Sequence, residues 1–121
     1  MRPRAGELDG APRRCPYYHE AVELLGRRWT GAIVEVLLQA GPLRFSEIRD
    51  AVPDLSDRLL SQRLRDLEDR GLIERIDHPG PPPHVRYALT PMGRALEPAV
   101  AALEAWGRRW LDMSASTFRP G

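Results

Sequence analysis

Lysine is missing from this chain: all 18 of its basic residues are arginine. A GC-rich genome accounts for much of that, yet arginine's planar fork also suits phosphate and guanine contacts. Cysteine occurs once, which excludes an intrachain disulfide framework and any zinc site built from cysteine alone. No stretch approaches the ~18–20 apolar residues of a membrane span. Met1-Arg2-Pro3-Arg4 is followed by no apolar segment of the secretory kind. These absences point to a reducing cytoplasm and to no membrane partner. No glycine-rich phosphate loop, nucleophile elbow or paired catalytic carboxylate motif occurs, so neither enzymatic activity nor a cofactor is expected. The net charge is only +1. A nucleic-acid role would therefore have to lie in how the charges are arranged, not in their sum.

A length of 121 residues fits one domain. Folding at this size hides roughly two-thirds of the extended chain's surface, enough for a core without metal or crosslink. Residues 1–14 carry four arginines, Gly6 and Gly10 but no apolar periodicity, and read as a flexible arm. Residues 15–113 read as the folded unit and 114–121 as a flexible tail. Pro16 fits the first turn of a helix, with Ala21, Val22, Leu24 and Leu25 as its packing side and Gly26 as its stop. A second helix is expected from about Trp29 to Gln39. Its apolar set, Trp29, Ile33, Val36, Leu37 and Ala40, falls on one face, and Gly41-Pro42 ends it.

Leu43-Arg44-Phe45 reads as a short extended piece. Ser46 is placed to cap a brief helix with Ile48 and Val52 inward and Pro53 at its close. Ser56 caps a longer helix reaching about Arg70, and Gly71 supplies the stop. Two strands follow, around Leu72–Asp77 and Val85–Leu89. In the second, Val85, Tyr87 and Leu89 alternate with Arg86 and Ala88. The connection His78-Pro79-Gly80-Pro81-Pro82-Pro83-His84 holds four prolines and should project as a rigid hairpin tip. Thr90-Pro91 opens a last helix, expected to run to about Met113 with a kink at Pro98. The fold class is α+β, mainly helical: a winged helix-turn-helix with flanking N- and C-terminal dimerisation helices. An irregular α+β module and a pure helical bundle are the runners-up, and the alternating Val85–Leu89 strand argues against the bundle.

The helix after Ser56 carries the functional signal. At 100° per residue, Ser61, Gln62 and Arg65 fall within about 60° of Arg58. Leu60, Leu64 and Leu67 lie opposite, at about 180–240°. The helix thus buries leucines and shows arginine, serine and glutamine, the side chains that pair with guanine, adenine and phosphate. Arg63, near 140°, is expected to form a structural ion pair. Arg58, Arg63 and Arg65 outweigh Asp57 in the first half, while Asp66, Glu68 and Asp69 crowd the second. The macrodipole favours the reverse order by ~0.3–1 kcal/mol per charge. An N-terminal half inserted into a major groove explains the order, which stability alone would not choose. A solvated face with incidental arginines is the competing reading. Arg86 beside the wing weighs against it, since a second phosphate contact then sits where the fold would put it.

Several short stretches resemble, in order, the HxlR-type branch of the MarR-like winged-helix transcription regulators. They are Cys15-Pro16, Gly26-Arg27-Arg28-Trp29-Thr30, Gly41-Pro42-Leu43-Arg44-Phe45-Ser46-Glu47-Ile48 and Ser56 through Leu64. Leu67-Glu68-Asp69-Arg70-Gly71-Leu72-Ile73, Arg75, Val85 through Thr90 and Gly93 complete them. The resemblance spans roughly three-quarters of the chain by position. It departs at Arg28, where the family usually has lysine, and in the proline-rich wing. It implies a cytoplasmic, dimeric DNA-binding repressor or activator. Some relatives are thiol-based redox sensors with a cysteine in the region of Cys15.

Met92, Leu96, Ala99, Leu103, Trp106 and Trp110 are spaced four, three, four, three, four, a heptad seam. Its first half can pack on the chain's own core. Trp106 and Trp110 exceed what a small core can cover and point to a second copy. Cys15, at a helix start after Arg13-Arg14, stands where reactive thiols occur and is a candidate redox sensor, against the reading of an inert thiol. His19 and Glu23 share a helix face but make no zinc site, so no metal is expected. His78 is read as a surface residue flanking the wing, and Trp29 as core. The expectation is a sequence-specific DNA-binding transcriptional regulator, a repressor, acting as a homodimer on a near-palindromic operator. Its DNA contacts are Ser56, Arg58, Ser61, Gln62, Arg65, His84 and Arg86; its dimerisation residues are Leu96, Leu103, Trp106 and Trp110. Its partners are double-stranded DNA, a second copy and a small-molecule or oxidant effector. The rival from another class is a winged-helix protein-interaction module without DNA binding.

Overall fold

The fold is organised around a leucine stripe that three elements cover. In the computed structural model, which describes residues 11–113, helix α1 spans Pro16–Gly26 and α2 spans Thr30–Ala40. Strand β1 (Leu43–Arg44) runs directly into α3 (Phe45–Ala51), and α4 covers Asp57–Asp69. The hairpin strands are β2 (Ile73–His78) and β3 (His84–Leu89), followed by α5 (Pro91–Arg94) and α6 (Glu97–Trp110). Leu60, Leu64 and Leu67 of α4 are buried against Ile33, Val34 and Leu37 of α2, Ile48 of α3, and Leu72, Ile73 and Leu89 at the hairpin base. Each such side chain contributes about 1.5–3 kcal/mol by leaving water.

The three strands form an antiparallel sheet in the order β1-β3-β2. Ile73 pairs with Leu89 and His78 with His84, while Leu43 and Arg44 of β1 face Tyr87 and Arg86 of β3. Leu89 of β3 enters the core, with Tyr87 of β3 and Leu43 of β1 against its edge; burial does not alternate along β3 as expected, because Ala88 is buried as well. The turn after α4 is locked from two sides. Gly71 sits at φ +81°, a left-handed conformation open to glycine. The Thr90 hydroxyl donates to the Gly71 carbonyl at 2.6 Å and accepts from the Gly93 N–H at 3.2 Å. Thr90 is thus both the cap of α5 and the tie that holds it to the end of α4.

Several expectations need correction. The C-terminal helix is two helices, not one kinked rod. Pro98 cannot donate to the Arg94 carbonyl, so the chain breaks after α5 and Pro98 takes the first turn of α6, where the missing N–H costs nothing. The helix ends at Trp110 rather than near Met113. The break removes Met92 from the heptad, and Leu96 and Val100 lean on the chain's own core. Ser46 does not cap α3. The chain enters that helix straight from β1, and the Glu47 carboxylate accepts the Arg44 N–H at 2.8 Å instead. Ala21 and Val22 are exposed; only Leu24 and Leu25 turn inward on α1. On α2 the buried set is Thr30, Ile33, Val34 and Leu37, with Val36 half-buried and Ala40 exposed. Trp29 caps α2 from outside the helix, half-buried, at φ +73°. Most of the expected arm (residues 1–10) and all of the tail (114–121) lie outside the described residues.

Gly93 marks the tightest backbone approach. A Cβ there would stand 2.3 Å from the Leu72 carbonyl oxygen and 2.8 Å from Leu89 Cδ2. Backbone cannot yield as a side-chain tip can, so Gly93→Ala should destabilise the fold by about 3 kcal/mol. Its melting temperature should fall by ~10 °C or more. Gly26→Ala, with open space around the new methyl group, should leave the melt nearly unchanged.

Candidate nucleic-acid interface

The outward face of α4 is built by its buried one. With the leucine stripe seated in the core, Arg58, Gln62 and Arg65 are exposed and Ser61 is half-buried. Among the described residues no ion pair or side-chain hydrogen bond engages Arg58 or Gln62. Arg65 rests on Ser61, its guanidinium donating to the hydroxyl at 3.0 Å, which holds it along the helix. Ser56 caps α4 by accepting the Leu59 N–H at 3.1 Å, and its own hydroxyl hydrogen stays free to donate. Asp57, the acid on this half, is drawn aside by Arg49 of α3 at 3.5 Å. The face that remains is basic and polar.

Arg63 has a different task, as its angle on the helix suggested. Its side chain is only 11% exposed and lies 3.4 Å from Asp66. Its Nε donates to the Arg28 carbonyl at 2.9 Å, across 35 residues of sequence. Asp66 also receives Arg27 at 3.7 Å. The turn between α1 and α2 is thereby fastened to α4. That turn contains Trp29, with Arg28 over its ring at 5.7 Å. A left-handed aromatic residue costs about 1–2 kcal/mol, and the hydrogen bond from Arg63 is one of the contacts that hold it. Nothing in the spacing of Arg28 and Arg63 signalled this bond; it appears only once α1 and α4 are packed.

The wing is a stiff base with a proline tip. His78 and His84 face each other across the strands and stack, 4.6 Å between ring centroids and 13° apart in plane. His78 is therefore half-buried rather than a free surface residue. Its Nε2 is buried without a hydrogen-bond partner. His84 Nδ1 lies 3.2 Å from the Pro82 carbonyl, and Arg86 Nε donates to His84 Nε2 at 3.4 Å. These contacts fit a His84 that carries its proton on Nδ1 and orients Arg86. Arg86 and His84 thus form one unit, separate from the α4 face.

Two further groups stand apart from the α4 face. On α6, Leu103, Trp106 and Trp110 are 63%, 56% and 62% exposed. Neither α1 nor α6 contains a fully buried residue, and Tyr17, Tyr18 and Val22 of α1 are exposed as well. At the start of α1, Cys15 is exposed and its sulfur accepts the Tyr18 N–H at 3.5 Å. The Arg14 guanidinium is hydrogen-bonded to the His19 ring.

A basic helix face, a preceding short helix and a hairpin wing in this order match known regulators. Residues 24–115 match the family model described as HxlR-like helix-turn-helix. Over 100 residues the chain is 43% identical to YvaP, an HTH-type transcriptional regulator of Bacillus subtilis, covering 83% of this chain and 92% of that one. The reduced form of the transcriptional regulator YodB from B. subtilis superposes with a TM-score of 0.74 at 38% identity, covering 83% of this chain and 97% of that one. The redox regulator HypR in its oxidized form gives 0.73 at 34% identity, covering 82% of this chain and 100% of that one. The chain belongs to the HxlR-like helix-turn-helix family and is a DNA-binding transcriptional regulator with the MarR-like winged-helix fold.

Proposed function

We propose that the chain acts as a homodimeric repressor on a near-palindromic operator, in the cytoplasm and without enzymatic activity. Ser56, Arg58, Ser61, Gln62 and Arg65 enter the major groove, while Arg86 at the wing holds the backbone and His84, whose two ring nitrogens face Pro82 and Arg86, acts there by orienting it. The observation that carries this reading is the α4 face, on which Arg58 and Gln62 have no partner within the described residues and Asp57 is held aside. Arginine forks onto guanine and glutamine onto adenine, each worth ~1–3 kcal/mol of discrimination. Arg65→Ala and Gln62→Ala should each lose that much operator preference, whereas Arg86→Ala should weaken binding to every duplex alike. Binding isotherms against the operator and a scrambled duplex measure both. Helix variants that keep full discrimination would show that another face reads the bases. A wild type that binds neither duplex at low salt would favour the interaction-module rival.

A second copy is favoured by the exposed apolar side chains of α1 and α6. Leu103, Trp106 and Trp110 share one side of α6, with Leu96 at its core end. A two-fold dimer built there would hold the two reading helices about one DNA turn apart, ~34–36 Å. Leu103→Glu and Trp106→Glu should shift sedimentation equilibrium from dimer toward monomer, because a carboxylate buried in an apolar seam lacks a partner. A wild-type monomer at tens of micromolar would refute the assembly.

The effector we infer is an oxidant acting at Cys15. YodB is known in reduced, diamide-treated and quinone-bound forms, and HypR in reduced and oxidized forms. With one cysteine per chain, peroxide can link two protomers, two thiols giving one disulfide and two waters. Alternatively the sulfenic acid condenses with a small thiol. The first outcome requires the two Cα atoms to come within about 7 Å across the dimer. Mild peroxide should change operator affinity several-fold in wild type and leave Cys15→Ser unaffected. Equal responses in the two proteins would make Cys15 a passive residue.

A further inference from the structure

Sheet register puts two cations side by side that are far apart in sequence. Arg44 of β1 lies directly opposite Arg86 of β3, so their side chains leave the same face of the sheet. Both are half-buried. Like charges directly opposite on neighbouring strands destabilise a sheet. Among the described residues neither guanidinium has a carboxylate within ion-pair distance. Glu47 spends one oxygen on the Arg44 backbone N–H at 2.8 Å, and Glu74, diagonal to Arg86 on β2, forms no ion pair among the described residues. On the other side of Arg86 stands Ile76, and the imidazole of His84 accepts the Arg86 Nε–H. Two forks therefore point from one face with their terminal N–H groups unspent.

We propose that Arg44 and Arg86 together hold a backbone phosphate of the DNA, a site on β1 and β3 outside the reading helix. The inference rests on the DNA-binding reading above and extends it to a residue that reading does not include. A phosphodiester oxygen between two guanidinium groups removes the repulsion and accepts charge-assisted hydrogen bonds from both. Placement supports DNA over a free anion. Arg44 immediately precedes α3, the first helix of the helix-turn-helix, and that helix crosses the backbone in such complexes. His84 fixes Arg86 from the wing side, so the site spans the gap between the wing and the helix pair.

The test is the salt dependence of binding to the operator duplex and to a scrambled duplex. One lost phosphate contact should lower the slope of log K against log salt by about 0.9 for each protomer bound. At 0.15 M salt that corresponds to roughly fivefold weaker binding per protomer, equal for both duplexes. Arg44→Gln should show this loss with a melting temperature slightly above that of wild type, because the like-charge pair is gone. Arg44→Glu should give a second signature: an ion pair with Arg86 that raises the melting temperature while DNA affinity falls further. An Arg44→Gln protein with the wild-type slope, or an Arg44→Glu protein with undiminished affinity, overturns the proposal while leaving DNA binding by α4 intact. Inorganic phosphate at constant ionic strength separates the other source. Phosphate that raises the melting temperature of wild type but not of Arg44→Gln, with equal DNA slopes in the two, would make this a free-anion site and also overturn the assignment. Wild type that binds neither duplex would instead overturn the reading on which the proposal rests.

Discussion

Burial of Leu60, Leu64 and Leu67 is the constraint from which the rest follows. A helix has one rotation that puts all three in the core, and that rotation turns Arg58, Gln62 and Arg65 outward. The same contact sets the position of Leu72 and Ile73, and through them the angle of the hairpin. Thr90 then ties the hairpin's far end back to Gly71. Core and basic face are two sides of one helix, so a mutation that repacks the leucines also re-aims the arginines.

Outside that core the chain has a different character. α1 and α6 hold no fully buried residue, yet between them they expose Tyr17, Tyr18, Val22, Leu103, Trp106 and Trp110. Aromatic side chains of this size dominate the energetics of interfaces. α1 is also joined to α4, through the Arg63 hydrogen bond to the Arg28 carbonyl and the pairing of Arg27 with Asp66. A rearrangement at α1 therefore has a short polar path to α4, with the strained Trp29 turn at its middle.

Much of this was legible from residue order. Helix periodicity, the Ser56 cap and the Gly71 stop located α4 and its faces, because those signals are local and strong. The hairpin was legible from alternation in Val85–Leu89. What escaped was partly local competition between neighbouring residues and partly pairing between residues far apart in sequence. Ser46 looked like a cap, but the carboxylate of Glu47 took that role. The run from Pro91 to Trp110 looked like one heptad helix, and the register of its apolar residues concealed the break that Pro98 imposes. Arg44 carried no local mark at all: its neighbour Arg86 is brought to it by strand pairing. Arg63 was placed at the edge of the stripe by its angle, yet its carbonyl partner could not be named without the fold.

The proline tip of the wing has a thermodynamic consequence. Four of the five residues between β2 and β3 are proline, so this loop has little backbone freedom left to lose. A glycine- or serine-rich wing of the same length would be ordered by its ligand and would charge that ordering against affinity. Here the ordering is completed when the protein folds. Such a tip also adapts poorly: it meets a groove of one width well and others badly. A rigid tip laid in a groove would respond to the width of that groove, which depends on DNA sequence even where no base edge is touched.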